Sequence, residues 1–182
     1  MEKIATAIPG CFELQPKIFK DDRGRLVKTF HEDTFLSLGL ESNFTEEYYS
    51  ISKRNVLRGL HFQIPPHDHV KCVTCLSGKI FDVVVDLRKD SPTFKQHFSI
   101  ELDAENGNML YIPKGLAHGF YVLSESTIFL NRTTTVYHPE SDASIHWNSC
   151  GIKWPNAKPT VSEKDLNSIT LDEFIKDNSH IW

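Results

Sequence analysis

No stretch of the 182-residue sequence is apolar for long enough to cross a bilayer, and the opening Met1–Pro9 lacks the pattern of a secretory signal. A cytoplasmic protein that contacts no membrane is expected. A basic excess is missing too. With 24 acidic against 20 basic residues the net charge is −4, which argues against the broad cationic footprint of a nucleic-acid binder. An anionic ligand must then be held by a few local cations. Cysteine is scarce: Cys11, Cys72, Cys75 and Cys150. Cys72 and Cys75 form a CxxC, but no second pair completes a zinc site, and residues three apart on a strand point to opposite faces. Structural thiols in a reducing compartment are expected. Internal repeats and low-complexity linkers are also absent, so residues 1–182 read as one domain with room for a substantial core.

Long helical periods are missing before the tail. What is present is a series of short β-rich runs, at 26–30, 44–52, 56–64, 70–76, 79–87, 94–102, 109–112, 119–123, 127–137 and 144–147. Asp21–Arg25 reads as a turn, Ser77-Gly78 as a hairpin turn joining its two flanking strands, and Asp103–Gly107 as a polar turn. A short helix is expected over 32–38, ended by Gly39. Two more are expected at 162–166 and 171–176, opening on the capping residues Ser162 and Thr170. Strands at this spacing with no long helix between them predict an antiparallel sandwich or barrel.

Two stretches break the ordinary core composition. Asn55-Val56-Leu57-Arg58-Gly59-Leu60-His61-Phe62-Gln63 sets an arginine and a histidine beside a glycine in an apolar run, and 107–120 repeats the theme around His118. The two histidines are expected to meet in one pocket. Gly107-x(5)-Pro113-x-Gly115-x(2)-His118 resembles the second cupin motif, which implies an all-β cupin jelly roll with short C-terminal helices. Further matches run in order: Asp22-Arg23-Gly24, Arg58–Gln63, Lys71, Asp82–Arg88, Ser91–Phe94, Ala117–Phe120, Tyr137-x-Pro139, Trp154-Pro155 and Ser162-x-Lys164-Asp165. Together they resemble the dTDP-4-dehydrorhamnose 3,5-epimerase family over nearly the whole chain. His67-Asp68-His69 is formally the HxH that opens a metal cupin's first motif, but Val73 and Thr74 stand where its glutamate is needed. The resembled family is metal-free, and neither metal nor other cofactor is expected.

The resemblance implies a nucleoside-diphosphate sugar as substrate, a 4-keto-6-deoxy sugar whose C3 and C5 hydrogens are acidified by the C4 ketone. It implies His61 as the base and Asp165 as its orienting carboxylate. Lys71, a cation within an apolar strand and costly to bury without an anion, is implied to meet the enolate oxygen. Arg23 and Arg58 are the candidate diphosphate ligands, since guanidinium pairs bidentately with phosphate. Tyr137 would stack near the nucleotide. His118, Asp82 and His69, the last where the family usually has glutamine, are expected beside the substrate. A homodimer is implied, with the neighbour contributing to the nucleotide pocket.

The pattern breaks at the acid. The family carries its catalytic tyrosine six residues before the Tyr-x-Pro position, where this chain has Asn131, and an amide supplies no proton at neutral pH. Upstream, Glu46-Glu47-Tyr48-Tyr49-Ser50 replaces the usual Gln-x-Asn-x-Ser, and strand phase sets Glu46, Tyr48 and Ser50 on one face. Tyr48 or a water then delivers the proton, and inversion at C3 only is expected. A full 3,5-epimerase using Tyr48, a 3,4-ketoisomerase and a noncatalytic sugar-nucleotide-binding cupin remain as alternatives. The nucleotide base, and hexose against heptose, stay open at this level.

Overall fold

The computed structural model describes residues 1–178 and Ile181. Strands β1 (Glu2–Ala5) and β2 (Phe12–Gln15) lead to a projecting hairpin of β3 (Ile18–Asp21) and β4 (Gly24–Val27), then helix α1 (Glu32–Ser37). The body follows as β5 (Glu46–Lys53), β6 (Leu57–Gln63), β7 (Lys71–Ser77), β8 (Lys79–Asp86), β9 (His97–Asp103), β10 (Met109–Ile112), β11 (Leu116–Val122), β12 (Ser126–Thr133) and β13 (Asp142–Ser144). Helices α2 (Glu163–Leu166) and α3 (Leu171–Asp177) close the described chain. No helix among the described residues is long and apolar enough to cross a membrane.

Two antiparallel sheets face one another, ordered β1-β2-β10-β7-β12-β5 and β13-β6-β11-β8-β9. The jelly-roll sandwich expected from the cupin motif is therefore present. Alternation along each strand explains the layers. Val73, Cys75, Leu110, Ile112 and Phe129 of the first sheet meet Ile80, Val84, Leu102, Phe120 and Val122 of the second. The alternate members of the second sheet, Leu60, Phe62, Val83, Val85 and Ala117, point outward, where Leu171 and Phe174 of α3 cover them. On the outside of the first sheet, Leu14, Cys72, Met109 and Tyr111 pack against Phe35 of α1. Removing so much apolar surface from water is the main stabilising term.

Several expectations need correction. Ser77-Gly78 does not close a hairpin: β7 is flanked by β10 and β12 in one sheet, and β8 by β11 and β9 in the other. Neither strand has a free edge for the other, so the dipeptide carries the chain across the sandwich. Gly78, at φ 79°, is hemmed in by Ser124 and Ser126. The strand expected over 127–137 stops at Thr133, whose hydroxyl donates to the Thr135 carbonyl at 3.0 Å. The one expected over 26–30 stops at Val27. The tail helices open as expected: Ser162 Oγ accepts from the Asp165 amide, and Thr170 forms a capping box with Glu173.

Candidate active site

Glycine brings the two histidine stretches together. A Cβ on Gly59 would sit 2.6 Å from Gly119 Cα, and one on Gly119 would sit 2.8 Å from the Arg58 carbonyl oxygen. Only paired glycines let β6 and β11 approach this closely, and Gly59 also holds φ 131°, where side chains are strained. In that register His61 lies opposite His118. Because Leu60 and Phe62 face α3, His61 and Gln63 face inward.

His61 Nε2 is 2.6 Å from Asp165 Oδ1, and the other carboxylate oxygen of Asp165 accepts from the Gly59 amide at 3.3 Å. Asp165 is 2% exposed. Burial alone would raise its pKa, but the bonds and charge of His61 and the Gly59 N–H outweigh it and hold the carboxyl below its usual value. An ionised partner fixes the imidazole and stabilises it when protonated.

Lys71 enters from the opposite sheet. It is buried, and its Nζ donates to the His61 carbonyl oxygen at 3.0 Å. Burial pulls its pKa down to about 8, against the charges of Asp142 and Asp82. His118 Nε2 contacts both Asp82 oxygens, at 3.1 and 2.9 Å, with both residues fully enclosed. There burial wins, and the Asp82 pKa is raised despite His118 and Lys71.

An outer cavity of about 320 Å³ is lined by Glu46, Tyr48, His61, His69, Lys71 and Tyr137, with Gln63, Thr133, Asp142 and Lys164. A smaller inner one, about 180 Å³, adds Ser50, Arg58, His118 and Asn131 and shares Tyr48, His61 and Lys71. Glu46, Tyr48 and Ser50 do fall on one face. Asn131 Nδ2 donates to the Tyr48 hydroxyl oxygen at 2.6 Å, leaving that hydroxyl its own proton to donate. Burial raises the Tyr48 pKa, so the phenol is protonated at neutral pH. Three of the buried polar atoms without a hydrogen-bond partner, Ser50 Oγ, His69 Nε2 and Asn131 Oδ1, belong to these linings.

His69 is neutral: burial, then the positive charge of Lys71, takes its pKa down to about 3. Gln63 Nε2 lies 3.2 Å from its Nδ1, which fixes Nδ1 as acceptor and leaves the proton on Nε2. Tyr137 is more than half exposed, its hydroxyl 3.3 Å from Asp142 Oδ2. Arg58 donates to Ser52 Oγ at 3.0 Å and also borders a cleft with Ser162, Lys164 and Asp165.

Arg23 is not brought into this group. It sits on the β3–β4 hairpin, bonded to Asp21 at 2.5 Å and facing a separate surface depression. Conversely, Gln63, Asp142 and Lys164 are lining residues that sequence reasoning missed. Strand phase from His61 is the signal that reaches Gln63, whereas Asp142 and Lys164 come from β13 and α2, whose docking no local pattern announces. The cysteines are free and buried, and burial raises the Cys72 thiol to about 12.

Comparison with known proteins follows the same lines. Residues 5–173 match the family model described as dTDP-4-dehydrorhamnose 3,5-epimerase. A dTDP-4-dehydrorhamnose 3,5-epimerase from Salmonella typhimurium is 46% identical over 176 residues, covering 94% of this chain and 96% of its own. The Legionella pneumophila dTDP-6-deoxy-D-glucose-3,5-epimerase, solved with dTDP-4-keto-L-rhamnose, superposes with a TM-score of 0.90 at 39% identity, covering 94% and 93% of the two chains. ChmJ, a 3'-monoepimerase from Streptomyces bikiniensis solved with dTDP-quinovose, gives 0.90 at 29% identity over 95% and 89%.

Proposed function

Because the chain belongs to the dTDP-4-dehydrorhamnose 3,5-epimerase family, we propose that it is an isomerase that epimerises a dTDP-linked 4-keto-6-deoxy sugar, inverting C3 alone. The observation that carries the finer reading is the pairing of an intact base with an altered acid position: His61 on Asp165 at 2.6 Å, facing Tyr48 held by Asn131 at 2.6 Å. His61 removes the C3 proton and becomes imidazolium against ionised Asp165. The electron pair moves to the C4 oxygen, where Lys71 supplies the positive charge and the neutral Nε2–H of His69 a further donor. Tyr48 then returns a proton to C3 from the opposite sheet. A positioned acid or base contributes about 10²–10⁴ in rate, so the direction from which Tyr48 delivers decides which carbon turns over.

A binding module needs neither a base nor a buried carboxylate to orient it, so the His61–Asp165 pair favours catalysis over binding alone. Tyr48 borders both cavities, which favours a full 3,5-epimerase as the second reading. The position of Arg23 supports a homodimer: exposed on its hairpin, it would serve the diphosphate of a neighbouring copy, while Arg58 serves that of its own. Exposed Tyr49, Ile51 and Leu76 on the outside of the six-stranded sheet supply apolar surface for such an association. The four free, buried thiols suit the cytoplasm.

Incubation with dTDP- and GDP-linked 4-keto-6-deoxyglucose in D2O tests the reading by mass spectrometry and NMR. One deuterium at an inverted C3 is expected, with the carbonyl still at C4. Deuterium at C3 and C5 means a 3,5-epimerase, a carbonyl at C3 means a ketoisomerase, and ligand binding without exchange means a binding protein.

A further inference from the structure

Three side chains that the proposed reaction leaves unused converge where two loops meet. His67 follows β6, whereas His138 and Glu140 lie between β12 and β13. The two imidazoles stack with centroids 3.5 Å apart and planes 10° from parallel. Glu140 Oε1 is 3.1 Å from His138 Nδ1 and 3.7 Å from His67 Nδ1. We propose that His67, His138 and Glu140 form a binding site for a divalent transition-metal ion of the zinc type, outside the catalytic cavity.

The separations suit an ion. Two donors each about 2.1 Å from a tetrahedral centre lie about 3.4 Å apart, midway between the two distances to Glu140. One donor atom from each of the three residues already lies within 4.8 Å of the others. Both Nδ1 atoms lie near the same Glu140 oxygen, at 3.1 and 3.7 Å, so the stacked rings need only splay to share one ion. Ser141 Oγ, 2.9 Å from His67 Nδ1, or a water completes the shell. Imidazole with carboxylate selects zinc, nickel, cobalt or copper over magnesium and calcium.

The backbone is already arranged for it. Gln63 Nε2 donates to the His67 carbonyl oxygen at 2.8 Å, and Gln63 Oε1 accepts from the His138 amide at 2.7 Å. One side chain thus holds both loops in place before any ion arrives, which lowers the ordering cost of binding. Glu140 is exposed and leaves a path for entry. An ion here would tie the loop bearing His69 to the loop bearing Tyr137 and stabilise the folded chain by mass action.

The test is titration of the EDTA-treated full chain with Co2+ and Zn2+, following visible d–d absorption and Tm. Wild type, His67→Ala, His138→Ala, Glu140→Gln and His61→Asn are compared. The expected result is one Co2+ per chain without a sulfur charge-transfer band and a Tm that rises with Zn2+. Binding is lost in His67→Ala and His138→Ala, is weakened about tenfold or more in Glu140→Gln, and is kept in His61→Asn. Glu140→Gln changes an exposed side chain, so it reads binding even if a histidine variant misfolds. Absence of saturable binding to the wild type, a sulfur band, or a signal that follows His61 instead of His67 overturns the proposal.

Discussion

Among the described residues two histidine–aspartate pairs have their histidines on neighbouring strands, and their surroundings differ. His61–Asp165 and His118–Asp82 have similar separations, 2.6 and 2.9 Å at their shortest. In the first, the imidazole is about a third exposed at its side chain and opens on the cavity; in the second it is almost wholly enclosed. Asp165 receives the Gly59 amide besides His61, and its carboxyl is held down. Asp82 has only His118 and the more distant charge of Lys71 against complete burial, and its carboxyl is pushed up. The same two residue types therefore make a cavity-facing imidazole beside a carboxyl that is held down in one place, and an enclosed pair whose carboxyl is pushed up in the other. Extra hydrogen bonds and solvent access, not the pairing itself, separate them.

Replacing His61 by Asn should give the largest effect. It is expected to cut kcat by about 10²–10⁴ while leaving Tm near wild type, measured by steady-state turnover and calorimetry. Next is Lys71→Met, for which the loss of one enolate donor predicts about 10²–10³ in kcat. His118→Asn is expected to behave in the reverse way to His61→Asn, costing about 1–3 kcal/mol in stability by leaving Asp82 with a poorer buried partner, with turnover much less affected. Equal losses of turnover in His61→Asn and His118→Asn would erase the distinction.

The smallest effect is one of pH. Lys71 titrates at about 8 in the folded chain, below its ordinary value, so its charge is present at lower pH and lost as pH rises through about 8. The kcat profile should fall along that limb, and Lys71→Arg should remove the limb. Stability moves the other way. The unfolded chain keeps that proton to higher pH, so stability rises with pH above about 8 as the cost of burying the charge is relieved. A urea titration at two pH values reads it.

Much of this is legible in the amino-acid sequence. The glycine-framed histidines are expected to meet in one pocket, and strand phase sets Glu46, Tyr48 and Ser50 on one face. The resemblance to an epimerase family added Asp165 to His61 across 104 residues, a pairing that spacing does not reveal. Arg23 was grouped with Arg58 by charge, yet the hairpin that bears it turns away from the cavity of its own chain. Ser77-Gly78 misled for a related reason: local turn chemistry reports that the chain bends, not which sheet the next strand joins.

The sequence by itself determined the strand-rich class, the glycine-framed histidines, the absence of a tyrosine at position 131 and the capped tail helices, because each follows from local backbone sterics, alternation or residue chemistry. Only the tertiary structure decided that Gln63 anchors two loops, that Asn131 holds Tyr48, that β7 and β8 part company, and that His61 is the more exposed of the two histidines. Those contacts join residues far apart in the chain, and they depend on how two twisted sheets bury their apolar faces, a balance summed over the whole core that no short stretch records.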